Sequence, residues 1–263
     1  MYSSRQSEIW VLFSTGRKQR CNKSVFAASG VYMVPRRQKC NWLSGEHFLR
    51  RFLHAVAGLA ALILMPAAAT ADKPLRLMIF GDSLVAGYGL DLPEAFPAQL
   101  ERKLREAGQD VKVINAGVSG DTTAGGASRI DWALGDDPDA VMVVLGGNDA
   151  LRGLPPEAMR GNLDQILARI QARGLPVLLA GMKAPLNMGP EYGADFDAAF
   201  RDALADAESR GGVVLFTPFF LDGVALDPDL NQADGIHPNP AGVAEIIRRL
   251  SPVIDELIRA ART

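Results

Sequence analysis

Three residues of this chain could together perform nucleophilic catalysis: Ser83, Asp234 and His237. Ser83 belongs to the tetrapeptide GDSL at 81–84, directly after the apolar run 75–80, where a strand would enter a tight turn. A serine hydroxyl is a weak nucleophile, so it needs a base within hydrogen-bonding distance and a third group that orients the base. His237 is the only histidine after residue 71, and an imidazole can take and return a proton near neutral pH. Asp234 lies three residues earlier, so its carboxylate can turn back onto the imidazole.

Acyl transfer also needs hydrogen-bond donors for the negatively charged oxygen of the tetrahedral intermediate. The candidate donors are the backbone N–H of Ser83, the backbone N–H of Gly120 and the side-chain amide of Asn148. Gly120 has no side chain, so its backbone can approach a substrate closely. Asn148 lies in the segment Gly-Gly-Asn-Asp at 146–149. These residue types together predict an oxyanion hole.

The segments that must position these groups alternate between short aliphatic runs and longer stretches of helical spacing, as in parallel strands joined by helices. The predicted strands are 75–80, 111–115, 140–145, 176–180 and 213–216, and the predicted helices carry apolar positions over 96–107, 163–170, 196–207 and 243–258, the last bent at Pro252. Sites in open parallel sheets form beyond the carboxyl ends of the strands. Ser83, Gly120 and Asn148 follow the first three strands, so we expect them to meet at one rim, to which a loop brings His237.

Four motif blocks, in order, resemble those of the SGNH, or GDSL, hydrolases, and most closely the periplasmic thioesterase I, lysophospholipase and arylesterase group. They are GDSL at 81–84, Gly120, GGND at 146–149 and DGIH at 234–237, and the resemblance covers essentially all of residues 74–258. It implies an α/β protein with a flavodoxin-like three-layer α/β/α fold and a mostly parallel five-stranded sheet. It also implies a triad of Ser83, Asp234 and His237, an oxyanion hole lined by Ser83, Gly120 and Asn148, and no metal or organic cofactor.

The reaction that the resemblance implies is hydrolysis of small-molecule carboxylic esters and thioesters, of the acyl-thioester, aryl ester or lysophospholipid type, through an acyl-enzyme. The loop 184–193 departs from the family pattern, so substrate preference stays open. Four side chains on or beside this loop are expected to contact an apolar substrate. They are Met182, Leu186, Met188 and Tyr192.

Acidic residues beside the motifs receive structural roles in this interpretation. Asp82, Asp121 and Asp149 are expected to bond the loop backbone around the site. The acidic segment 221–234 lacks the spacing of a calcium-binding loop, so it is predicted to be a solvated loop rather than a metal site.

The first 71 residues form a distinct, basic segment, with ten Lys or Arg and two Asp or Glu. The chain has 28 basic and 30 acidic residues in all, so residues 72–263 hold 18 basic and 28 acidic ones and are acidic. Two arginines precede the apolar run 52–65, which the small-residue sequence Ala-Thr-Ala at 69–71 follows, and this pattern predicts a signal peptide cleaved after Ala71. A domain at 72–263 would then be periplasmic or secreted, monomeric and without a membrane anchor. It would contain no cysteine, and its acidic charge disfavours nucleic-acid binding.

Alternatives for this leader stay open. The run 52–65 could be a retained membrane helix, but its 14 residues fall short of the roughly 20 needed to cross a bilayer. The paired arginines at 50–51 fit a twin-arginine signal only loosely, so Sec-type export is preferred. Translation could begin at Met1 or at Met33, and in the second case residues 1–32 would not be made.

Other functions remain as rivals. A carbohydrate O-acetyl esterase would use the same residues on a different substrate. A nucleotide-binding module is disfavoured because the glycine-rich segment 117–120 has neither the dinucleotide-binding spacing nor a phosphate-binding lysine. A non-catalytic binding protein would not need every residue type of the triad, and an α/β-hydrolase would need a second glycine two residues after Ser83, where Val85 stands.

Overall fold

The computed structural model of the chain describes residues 73–263, so the predicted signal segment and its cleavage point lie outside the described residues. Five parallel strands form one sheet in the order β2-β1-β3-β4-β5. Their bounds are β1 Leu75–Gly81, β2 Val111–Gly117, β3 Ala140–Val144, β4 Val177–Ala180 and β5 Val214–Thr217. The five predicted strands are therefore confirmed, with shifts of one or two residues at their ends.

Seven α-helices accompany the sheet in the described part of the chain. They are α1 Ser83–Ala86, α2 Phe96–Glu106, α3 Thr123–Ala133, α4 Gly147–Leu151, α5 Pro156–Gln171, α6 Pro190–Ser209 and α7 Pro240–Ala260. Short 3-10 turns occupy Leu92–Glu94, Leu134–Asp136 and Leu186–Met188. Helix α5 packs against both α3 and α6, and α2 packs against α7, which gives the predicted three-layer α/β/α sandwich. Helix α3 was not predicted from the sequence, and α7 runs without a break through Pro252.

Pairing register brings the carboxyl ends of the central strands to one level. Gly81, the last residue of β1, pairs with Gly117 on β2 and with Val144 on β3. Strands β3 and β4 are buried throughout, since helices cover both faces of the sheet. The loops that carry Ser83, Gly120 and Asn148 therefore start beside one another. Between residues 73 and 263, no helix has both the length and the apolar character needed to cross a membrane.

Candidate active site

Ser83, His237 and Asp234 form a continuous chain of hydrogen bonds. The imidazole Nε2 of His237 lies 2.9 Å from the Oγ of Ser83. The Nδ1 of the same ring lies 2.6 Å from the Oδ2 of Asp234. With the ring proton on Nδ1 and shared with the carboxylate, Nε2 is the acceptor that faces the serine hydroxyl. The structure thus brings together the three residues that the sequence predicted as a triad.

A tight turn between β1 and α1 presents Ser83. Gly81 ends β1 so close to β3 that a Cβ on this residue would lie 2.5 Å from the carbonyl oxygen of Val144. Asp82 then caps α1, because its Oδ1 accepts the backbone N–H of Leu84 at 3.0 Å. Ser83 is the first residue of that helix. Its hydroxyl is therefore held at the helix start, beyond the carboxyl edge of the sheet.

The loop that carries His237 is tied to the turn that carries Ser83 by Gln232. The Gln232 side-chain amide donates to the carbonyl oxygens of Tyr88, at 2.8 Å, and Pro238, at 3.0 Å. Its backbone N–H donates to the carbonyl oxygen of His237 at 2.8 Å. The ring of Tyr88 also packs on the imidazole, with 4.6 Å between centroids. These contacts fix the position of the imidazole relative to the hydroxyl of Ser83.

The predicted oxyanion donors lie at the ends of β1, β2 and β3. Within residues 73–263, neither the backbone N–H of Ser83 nor that of Gly120 donates to another protein group. Gly120 has a φ of +82°, a conformation that favours glycine. The Nδ2 of Asn148 donates one hydrogen to the Oδ2 of Asp82 at 3.2 Å, so the amide keeps a second hydrogen. These donors could serve a developing oxyanion without first breaking a protein hydrogen bond.

Polar links join α4, which carries Asn148, to the loop that carries Gly120. The Asp149 carboxylate accepts the backbone N–H of Thr123 at 2.9 Å and its hydroxyl at 2.6 Å, and all of these groups are buried. Arg152, just after α4, donates to the carbonyl oxygen of Gly120 at 2.7 Å. Asn148 and Gly120 are thus held by one buried and one exposed link.

Arg129 on α3 joins the ends of β1 and β2. Its guanidinium donates to the carbonyl oxygens of Gly81, at 2.8 Å, and Ala116, at 3.0 Å, and to the Asp121 carboxylate at 2.6 Å. It also lies 4.0 Å from the ring centroid of Phe80. Asp121 therefore binds a guanidinium rather than loop backbone, which corrects its predicted role.

The roles of Gln232, Arg129 and Arg152 were not predicted from the sequence. Gln232 comes just before the block at 234–237, Arg152 just after the block at 146–149, and Arg129 nine residues after Gly120, and this proximity was the only available signal. Their roles depend on carbonyl oxygens contributed by other loops, which become neighbours only in the folded chain. The expectation for Asp82 and Asp149 is confirmed, since both accept backbone N–H groups.

Ser83, Asn148 and His237 line a cavity of about 650 Å³. Most of its remaining wall is apolar, including Leu84, Leu151, Phe219, Leu221, Leu226 and Ile236. The predicted substrate contacts divide into two pairs. Met182 and Leu186 line the cavity, whereas Met188 and Tyr192 are not among its lining residues.

Tyr192 points away from the cavity because its hydroxyl donates to the carbonyl oxygen of Leu154 at 2.8 Å. Its ring stacks on Phe196, so the side chain belongs to the packing of α6. Met188 ends the 3-10 turn Leu186–Met188. Both residues had been expected to contact an apolar substrate, but neither lines the cavity, and the end of the Met188 side chain lies beside Gly153 instead.

Two carboxylates near Ser83 have pKa values that are shifted in opposite directions. Hydrogen bonds from the backbone and imidazole of His237 and from the backbone of Ile236 lower the pKa of Asp234 to about 2. Burial raises the pKa of Asp82 to about 6, although the N–H of Leu84 and the amide of Asn148 act against this shift. Asp234 therefore stays ionised beside the imidazole over the whole neutral range, whereas Asp82 titrates just below it.

The raised pKa of Asp82 predicts a specific pH dependence of stability. A carboxyl group with a folded pKa of about 6, against 3.8 unfolded, makes the folded state bind more protons between those values, so stability falls as pH rises through that window. Asp82→Asn removes this ionisation. The free energy of unfolding of the variant minus that of the wild type should rise by about 2 kcal/mol from pH 4 to pH 7.

Urea unfolding at pH 4, 5, 6 and 7 measures this difference. Asp91→Asn is the matched control, because Asp91 is exposed and its side chain makes no capping hydrogen bond. The control difference should be nearly independent of pH. A pH-independent difference for Asp82→Asn as well would show that Asp82 is ionised with an ordinary pKa in the folded protein.

Comparisons with known proteins agree with this geometry. Residues 79–244 match the model of the GDSL-like Lipase/Acylhydrolase family. Esterase TesA of Pseudomonas aeruginosa is 36% identical over 204 residues, which cover 77% of this chain and 98% of the relative. Thioesterase 1/protease 1/lysophospholipase L1 of Escherichia coli K12 is 39% identical over 173 residues, which cover 65% of this chain and 78% of the relative.

A solved structure resembles the chain in the same region. The crystal structure of AlinE4, an SGNH-hydrolase family esterase, superposes with a TM-score of 0.58 at 44% sequence identity. The match covers 70% of this chain and 96% of AlinE4. Nearly the whole of that esterase therefore corresponds to the part of the chain that holds the sheet and the cavity.

Proposed function

Because this chain belongs to the GDSL-like lipase/acylhydrolase family, we propose that it hydrolyses its substrates with Ser83 as nucleophile, His237 as general base and Asp234 as the residue that orients the base. The chain is a hydrolase of carboxylic esters and thioesters, in line with relatives named esterase and thioesterase 1/lysophospholipase L1. The observation that carries the proposal is the unbroken hydrogen-bond chain from Asp234 through His237 to Ser83, which ends in an apolar cavity.

In the acylation step, Oγ of Ser83 attacks the carbonyl carbon of the ester or thioester while Nε2 of His237 takes its proton. The carbonyl oxygen becomes an oxyanion, and the donors proposed for it are the N–H of Ser83, the N–H of Gly120 and the amide of Asn148. The intermediate then collapses and the bond to the leaving group breaks. The protonated imidazole gives its proton to the departing alcohol or thiol, which leaves an acyl group on Ser83.

Deacylation repeats these steps with water as the nucleophile. His237 takes a proton from water, the hydroxide oxygen attacks the acyl carbon, and Ser83 recovers its proton from the imidazole as the carboxylic acid departs. Asp234 stabilises the imidazolium in both halves of the reaction, and its lowered pKa keeps it negatively charged throughout. No step requires a metal or an organic cofactor.

A kinetic panel on the purified full chain tests the proposed function. We expect hydrolysis of p-nitrophenyl esters and acyl thioesters, and covalent labelling of Ser83 by a fluorophosphonate in proportion to lost activity. Lysophospholipid and acetylated carbohydrate complete the panel. Activity on acetylated carbohydrate with none on longer acyl chains would favour an O-acetyl esterase instead, and absence of both hydrolysis and labelling would reject a serine hydrolase.

We also propose that the protein is exported and acts in the periplasm or outside the cell, as a monomer on small-molecule substrates. Support comes from the signal-like pattern in residues 50–71, which precedes the described residues. Mass spectrometry of protein from the exported fraction should find Asp72 at the N terminus. A chain that retains residues 52–65 would contradict cleavage.

A further inference from the structure

Leu226 has a backbone conformation that leucine rarely adopts. Its φ is +66°, in the left-handed region that favours glycine and, next, asparagine or aspartate. Among the non-glycine residues of 73–263, only Asp137, at +51°, also has a positive φ. Leu226 is also 85% exposed, so its side chain gains almost nothing from packing. Neither the backbone nor the hydrophobic core accounts for leucine at this position.

A buried side chain holds this turn in place. The amide of Asn231 donates to the carbonyl oxygen of Val224 at 2.6 Å and to that of Asp227 at 2.7 Å, on either side of Leu226. Asn231 is 8% exposed and Val224 is fully buried, so both ends of the turn are anchored in the protein. A strained residue persists only where its surroundings fix it, and such residues cluster at ligand-binding sites.

The turn places Leu226 in the wall of the cavity that also contains Ser83 and His237. Leu186, from the loop after β4, is 92% exposed and lines the same cavity. Leucine side chains from two separate loops thus line the cavity and are at the same time exposed to solvent. An exposed leucine in this position gains apolar contact only when a ligand covers it.

We propose that Leu226 is a specificity-determining residue, which contacts the apolar acyl portion of the substrate and for which the chain retains an unfavourable backbone conformation. The proposal rests on the proposed ester hydrolase function, and it concerns selection among esters rather than the chemistry of Ser83. An acetyl group is too small to reach far along the cavity wall, whereas an octanoyl group offers a chain that a leucine can cover. Removing Leu226 should therefore penalise the longer ester selectively.

The test compares kcat/KM for p-nitrophenyl octanoate and p-nitrophenyl acetate in the wild type, Leu226→Gly and Leu226→Asn. Glycine relieves the backbone, and asparagine tolerates this φ while replacing the apolar surface with a polar one. We expect the octanoate-to-acetate ratio to fall about tenfold in both variants. Acetate hydrolysis should fall by clearly less than octanoate hydrolysis and the Tm should be no lower, as expected for a side chain that serves binding rather than folding.

Asp137→Gly is the matched control, because it also replaces an exposed residue of positive φ but lies outside the cavity wall. It should leave the octanoate-to-acetate ratio unchanged. A wild-type ratio in both Leu226 variants, or an equal loss on both esters together with a lower Tm, would overturn the proposal. If the wild type hydrolyses neither ester, the proposed function itself fails, a result distinct from an active Leu226 variant with unchanged chain-length preference.

Discussion

Replacing Ser83 with alanine is expected to lower kcat for p-nitrophenyl esters by on the order of 10⁵-fold. The variant loses the hydroxyl that lies 2.9 Å from Nε2 of His237, and no other hydroxyl in residues 73–263 is hydrogen-bonded to that nitrogen. Without it no acyl-enzyme can form, and hydrolysis can proceed only by direct attack of water in the cavity. The backbone N–H of residue 83 and the amide of Asn148 stay in place, so some rate above background should remain.

Steady-state rates and fluorophosphonate labelling measure this effect together. Ser83→Ala should neither label nor show an initial burst of p-nitrophenol, while its Tm stays close to that of the wild type. Ser209→Ala is a matched control, because Ser209 lies at the end of α6 and its hydroxyl only donates to the carbonyl oxygen of Asp206. A Ser83→Ala variant that hydrolyses esters at the wild-type rate would remove the proposed nucleophile and with it the acyl-enzyme mechanism.

The hydrogen-bonded arrangement of Ser83, His237 and Asp234 could be predicted from the sequence because its constraints are local or leave no alternative. Asp234 and His237 are three residues apart, and the imidazole has no competitor after residue 71. A general rule for parallel sheets predicted that Ser83, Gly120 and Asn148 meet beyond the carboxyl ends of the strands. The strand register agrees with this prediction, since Gly81 pairs with Gly117 and with Val144. Short aliphatic runs likewise identified the five strands. The three central strands, β1, β3 and β4, are almost entirely buried and so need apolar residues on both faces.

Helix α3 could not be predicted, because its segment contains two consecutive glycines and no strong apolar periodicity. As the neighbouring side chains stand, neither glycine has room for a Cβ. A Cβ on Gly126 would lie 2.5 Å from the side chain of Leu145 and 3.3 Å from those of Ile166 and Phe80. The helix thus forms where tertiary packing requires a small residue, and intrinsic propensity gives no indication of that packing.

Side-chain contacts that depend on loop conformation also could not be predicted from the sequence. Met188 and Tyr192 lie near the cavity along the chain, but Tyr192 donates to Leu154 and packs in α6. Leu226 lies in a loop that sequence reasoning treated only as acidic and solvated, yet it lines the cavity. The direction of a side chain on an irregular loop is set by local φ values and by distant hydrogen bonds, such as those of Asn231, and residue type alone determines neither.

Asp234→Asn is expected to reduce kcat by about 10⁴-fold while leaving the fold intact, because the wrong imidazole tautomer would be stabilised. In the wild type, Oδ1 of Asp234 accepts the backbone N–H groups of Ile236 and His237, at 2.9 and 3.0 Å, and Oδ2 faces Nδ1 of the imidazole. An asparagine that keeps its oxygen on the two N–H groups must turn its NH₂ towards Nδ1. Nδ1 then becomes an acceptor and the ring proton moves to Nε2, which can no longer take the proton of Ser83.

The variant separates this tautomer effect from a simple loss of charge. Rates on p-nitrophenyl acetate give kcat, and the ¹⁵N shifts of the His237 ring should report protonated Nε2 in the variant and protonated Nδ1 in the wild type. Asp229→Asn removes the same charge from an exposed side chain on the same loop, and it should change neither measurement. Because the pKa of Asp234 is about 2, the wild type should keep this carboxylate ionised down to roughly pH 3, so any loss of activity at mildly acidic pH must arise from another group. Retention of more than a tenth of the wild-type kcat by Asp234→Asn would show that Asp234 does not orient the catalytic base.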